Sequence, residues 1–99
     1  MAKYRFTNKA VQDLEDIWSY TVKTWSERQA DLYYAMLINF CQSIADNTVF
    51  GKRYDEIAKD LYGFRANKHI IFYGVISQNE IEVIRILHDR MDLKNRIDE

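Results

Sequence analysis

Residues Leu61–Asp92 read LYGFRANKHIIFYGVISQNEIEVIRILHDRMD, and this stretch decides the fold. Its two apolar runs, IIFYGVI and EIEVIRIL, are rich in Ile, Val, Phe and Tyr and are strand-sized rather than helix-sized. Ser77-Gln78-Asn79 separates them, so the pair reads as a β-hairpin. Strand side chains alternate. His69, Ile71, Tyr73 and Val75 therefore share one face of the first arm, with Ile70, Phe72, Gly74 and Ile76 on the other. In the second arm Ile81, Val83, Arg85 and Leu87 oppose Glu82, Ile84, Ile86 and His88. Strands apolar on both faces need a cover on each side, from the rest of the chain or from a partner.

The rest of the chain is short. Its 99 residues, 47% hydrophobic and 14% aromatic, make one compact domain, residues 1–99, with enough apolar material for a core. A net charge of −1 gives no long-range attraction for nucleic acid or an anionic membrane, so no direct sequence-specific nucleic-acid binding is expected. The single cysteine, Cys41, excludes an internal disulfide and fits a reducing compartment. No Cys/His set has zinc spacing, so neither a metal nor another cofactor is expected. MAKYRFTNKA lacks the apolar core of a signal peptide, and no run approaches the roughly 18 apolar residues of a membrane span. The cytoplasm is the expected compartment.

Upstream of the hairpin, Tyr4-Arg5-Phe6 suits an edge strand, and Thr7 offers a helix N-cap. Ala10, Val11, Leu14, Ile17, Trp18, Thr21, Val22 and Trp25 recur at steps of three and four, one stripe of an amphipathic helix, with Asp13, Glu15, Asp16 and Lys23 assigned to its solvated side. Ser26-Glu27-Arg28-Gln29 matches a capping box and opens a second helix. Its stripe runs through Ala30, Tyr33, Met36, Leu37, Phe40, Ile44 and Ala45 to about Asn47, followed by a turn over Thr48-Val49-Phe50-Gly51. The two form an antiparallel helix hairpin, the natural cover for one face of the sheet. Residues 52–59 read as a loop with a short turn of helix, residues 60–66 as another strand in which Gly63 permits a close approach, and the tail after Arg90 as a short helix or frayed end. The fold class is α+β: an N-terminal strand, an antiparallel helix hairpin, a mostly antiparallel three-stranded sheet and a short C-terminal tail or helix.

AVQDLEDIWSYTVKTWSERQADLYYAML, VFGKR, Gly63-Phe64-Arg65, His69–Tyr73 and Ile84–Asp92, in this order and spacing over nearly the whole chain, resemble the ParE branch of the RelE/ParE toxin superfamily. The turn after the second helix departs from it in lacking a proline, and Gly74 stands where many relatives carry Arg. The resemblance implies a bacterial toxin neutralised by a ParD-like antitoxin in a hetero-oligomer. It further implies that the toxin inhibits DNA gyrase by stabilising the gyrase–DNA cleavage complex. RelE members instead cleave mRNA on the ribosome.

The polar residues bear on that choice. RNA cleavage needs proton-transfer groups and cations for the developing charge. The candidates are Arg65, His69 and Arg90, with Lys68, Arg85 and His88 nearby. Antiparallel arms allow His69 and His88 to converge at the open end of the hairpin, but two histidines without a carboxylate at fixed spacing read more simply as strand caps bonded to backbone. RelE-type cutters resemble one another in a basic cluster and a C-terminal tyrosine, and here Asp60–Phe64 has no basic pair and the tail no tyrosine. A non-enzymatic toxin is therefore expected, with the endoribonuclease as alternative and a non-toxic binding module as a third possibility. Arg85, between apolar neighbours, needs a partner: an acid of the first helix, or a group from the antitoxin. The expected antitoxin contacts are Tyr33 and Leu37 on the helices with Arg65, Tyr73, Arg85 and Arg90 on the sheet. Arg90, Lys94 and Arg96 are the expected target contacts, and Cys41 is a small core residue.

Overall fold

The computed structural model describes residues 2–48 and 50–97; Val49 of the expected turn and Asp98 and Glu99 of the tail lie outside the described residues. The elements are β1 (Lys3–Phe6), α1 (Asn8–Thr24), α2 (Glu27–Asp46), β2 (Lys52–Arg53), β3 (Tyr62–Ala66), β4 (His69–Ser77), β5 (Glu80–His88) and α3 (Leu93–Ile97). Both long helices begin where local chemistry dictates. Thr7 accepts the Ala10 amide at 3.1 Å, and Ser26 accepts the Gln29 amide at 3.0 Å, satisfying donors that a helix start leaves open.

The sheet has five strands in the order β1-β5-β4-β3-β2. β3, β4 and β5 form the expected antiparallel meander, and β1 lies at the edge, parallel to β5. One expectation fails at residues 52–59. Lys52 and Arg53 are not loop but a two-residue fifth strand, paired with Gly63 and Tyr62. Their polar text gives no periodicity, and Gly63 makes the pairing possible: a Cβ there would sit 2.6 Å from the Tyr54 ring.

Two cores flank the sheet. The α1–α2 side buries Leu14, Leu37, Cys41, Ile44, Ile71, Tyr73, Ile81, Val83 and Ile86. The opposite side buries Leu61, Ile70, Phe72 and Leu87 under Tyr54, Ile57 and two residues of α3, Leu93 and Ile97. The chain thus supplies both covers itself, each fully buried Leu or Ile contributing roughly 1.5–3 kcal/mol.

The alternation in β5 also breaks. Phe72 pairs with Arg85 but Tyr73 with Val83, so β5 carries an extra residue at this point. Beyond this bulge Ile86 joins Ile81 and Val83 on the helix side while Leu87 turns away, the reverse of strict alternation. The bulge falls where β1 stops covering the edge of β5: strand pairing ends at Val83, and the Thr7 hydroxyl donates to the Ile84 carbonyl at 2.7 Å.

Candidate functional site

Asp13 occupies the uncovered edge of β5. Its carboxylate accepts from Arg85 Nε at 2.8 Å and a second guanidinium nitrogen at 3.0 Å, and from the Ile86 amide at 3.0 Å. Arg85 also donates to the Arg96 carbonyl at 2.6 Å, tying α1, β5 and α3 together. Both residues are nearly buried, Asp13 at 9% and Arg85 at 8% exposure. Burial is tolerable because the pair is bidentate and the remaining lone pairs are used. Two expectations are corrected here: Asp13 is not on a solvated face, and Arg85 is not the open antitoxin contact. Of the two partners left open for Arg85, the structure has the acid of the first helix. The signal was available: Asp13 stands three residues after Ala10 and four before Ile17, within the apolar stripe.

Tyr73 and Leu37 are corrected as well. Both are fully buried, so neither is a surface contact. The Tyr73 hydroxyl donates to the Thr48 carbonyl at 3.1 Å and accepts from the Gly51 amide at 3.0 Å, pinning the turn after α2. Burial raises its pKa, against the opposing effect of the Gly51 amide. Cys41 is the core residue expected, its thiol pushed up to about 12 by burial.

The histidines converge at the open end of the β4–β5 hairpin. His69 and His88 are direct cross-strand partners with ring centroids 5.3 Å apart. Tyr33, from α2, lies 2.6 Å from His69 Nδ1. Burial and then the neighbouring His88 lower the His69 pKa to about 4, so its ring is neutral near pH 7 and its Nδ1 can accept the Tyr33 proton. Tyr33 itself is raised, chiefly by burial. On the outer rim Arg65 of β3 forms a short ion pair with Asp89, and the Asp89 amide donates to the Lys68 carbonyl at 2.9 Å. Arg65 and Arg90 are exposed, as are Lys94 and Arg96 on α3. The contact residues expected from sequence thus divide: Arg65, Arg90, Lys94 and Arg96 reach the surface, Tyr33 is half-buried, and Tyr73, Leu37 and Arg85 are interior. Asp89, missed from sequence, is legible only as the acid between His88 and Arg90.

A groove of about 530 Å³ separates α1 from α2, lined by Leu14, Glu15, Trp18, Ser19, Asp31 and Tyr34. The Trp18 indole donates to Asp31 at 2.9 Å, holding the ring along its wall. Trp25, at the helix-hairpin tip, is 75% exposed. Among the described residues no group of three or more His, Cys, Asp or Glu is placed to hold a metal, and no helix is long and apolar enough to cross a membrane.

A chain from the chromosomal ParDE TA system of P. aeruginosa superimposes with a TM-score of 0.76, covering 89% of this chain and 96% of that one at 17% identity, which shows the shared fold. The family model described as ParE toxin of type II toxin-antitoxin system, parDE, matches residues 4–93. Toxin ParE1 of Mycobacterium tuberculosis is 32% identical over 96 residues, 97% of this chain and 98% of the relative. Toxin ParE1 of Caulobacter vibrioides is 30% identical over 94 residues, covering 95% and 96% of the two chains. Toxin ParE of Escherichia coli is 31% identical over 97 residues, covering 98% and 94%. The chain belongs to the ParE toxin family of type II toxin–antitoxin systems.

Proposed function

We propose that this toxin acts by binding, without covalent chemistry of its own, and that it inhibits DNA gyrase by stabilising the gyrase–DNA cleavage complex until a ParD-like antitoxin neutralises it. The observation that carries this proposal is the family match over residues 4–93. The antitoxin partner is further supported by the ParDE system of the P. aeruginosa structure. Exposed Arg65, Arg90, Lys94 and Arg96 are the cations we assign to partner and target contact, and the aromatic groove between α1 and α2 suits an amphipathic antitoxin helix.

A second function, ribosome-dependent mRNA cleavage, is favoured by one specific observation: Tyr33, His69, His88 and Arg65 gather at one end of the sheet. Against it, His69 is bonded to Tyr33, so its Nδ1 is not presented for proton transfer. Purified protein mixed with gyrase and supercoiled plasmid separates the two. Cleaved plasmid that disappears on adding antitoxin supports gyrase poisoning. Intact plasmid, with transcripts cut on translating ribosomes, supports the nuclease.

A further inference from the structure

The turn after β5 holds a histidine between two incompatible bonds. His88 Nδ1 lies 3.1 Å from the backbone nitrogen of Arg90, which donates to it, and 3.2 Å from Asp89 Oδ1. A ring nitrogen accepts when bare and donates when protonated, so it satisfies one of these neighbours at a time. Asp89 is fixed independently, because its Oδ2 takes Arg65 and its amide donates to the Lys68 carbonyl. The part left to move begins at Arg90.

We propose that His88 is a proton-operated latch on the turn that leads to α3: the neutral ring holds the Arg90 amide, and the protonated ring releases it and bonds Asp89 instead. His69 faces this ring from β4 and is itself held neutral near pH 7 by burial. Asp13 and Asp16 of α1 border the same cleft, as do Arg85 of β5 and Arg96 of α3. Asp13 is committed to Arg85, and Asp89 is paired with Arg65. Tyr33, from α2, bonds His69 and not His88. Opening the latch frees Arg90 and, three residues on, the start of α3, while the Met91 amide bond to the His88 carbonyl, 3.1 Å, keeps the chain from unravelling. The inference concerns the turn itself and stands whatever the target of the toxin.

Heteronuclear NMR of the full chain between pH 8 and pH 5 tests it. The Arg90 amide shift is expected to titrate with the midpoint of the His88 ring while the His69 ring stays neutral. Below that midpoint the exchange protection of the Arg90 amide is expected to fall about fivefold, the factor for losing one hydrogen bond. His88→Gln, which keeps an acceptor but takes no proton, should abolish the step. An Arg90 amide indifferent to His88 titration overturns the proposal in the wild type alone, and so does a step that survives in His88→Gln.

Discussion

Arg85 and Arg65 project from the same sheet yet do opposite things. Arg85, 8% exposed, is bound on both sides by Asp13 and by the Arg96 carbonyl, so its charge is fully answered inside the molecule. Arg65 keeps most of its side chain in solvent and pairs only at its tip with Asp89. The difference comes from the neighbours: Arg85 sits at a bulge beside an uncovered strand edge that needs an acceptor, whereas Arg65 is the one exposed residue of β3, near its end. In this fold the inward arginine holds the helices to the sheet, and the outward one is available to a partner.

The largest expected effect breaks the inward side. Arg85→Ala or Asp13→Ala leaves a buried charge without its partner and should cost roughly 3–5 kcal/mol in denaturant unfolding, with the double variant costing less than the sum of the two. Arg65→Ala should change stability by less than about 1 kcal/mol, because an exposed pair gains little. Equal losses for Arg85→Ala and Arg65→Ala would erase the distinction. Leu37→Ala should cost roughly 2–5 kcal/mol through the cavity it leaves in the helix-side core, and a near-neutral result would return Leu37 to the surface.

A smaller effect depends on pH. The folded His69 has a pKa of about 4 against an ordinary 6.5, so below 6.5 the unfolded chain binds a proton that the folded chain refuses. Stability should therefore be fully present above pH 6.5 and decline as pH falls toward 4, by roughly 1–2 kcal/mol once partial exposure is discounted. Comparing unfolding at pH 7 and pH 4.5 in wild type and His69→Gln checks this, since the variant should lose that part of the slope. The smallest effect is expected at Gly74, where an added Cβ meets only the Ile84 side chain at 3.7 Å. Gly74→Arg should fall within about 0.5 kcal/mol of wild type in thermal unfolding, with the new side chain opposite Glu82.

Local chemistry was the legible part of this fold. Thr7 and Ser26 announce the helix starts, and the apolar text of β4 and β5 announces the hairpin, because each signal acts over a few residues. Three features were hidden for physical reasons. The bulge in β5 shifts the side-chain phase by one residue without leaving a glycine or any other mark in EIEVIRIL. An acid of the first helix was one of the two partners open for Arg85, but which acid was hidden, because Asp13 is 72 residues away and only the packing of α1 against β5 brings the two together. Alternation assigns Tyr73 to a face but does not tell whether that face is covered, so a residue read as a contact proved to anchor the turn at Gly51. At the site, antiparallel pairing allowed His69 to meet His88 although capping was expected of each, whereas Tyr33 joining them required the docking of α2.

The measurement that bears most directly on a toxin acting through its outward cations is a plasmid cleavage assay with DNA gyrase, comparing wild type with the Arg65→Ala/Arg90→Ala double variant at equal folded concentration. Wild type should accumulate cleaved plasmid, and the double variant, equally folded, should lose most of that activity. Cleavage undiminished in the double variant, or absent with wild type at any excess, would contradict the account.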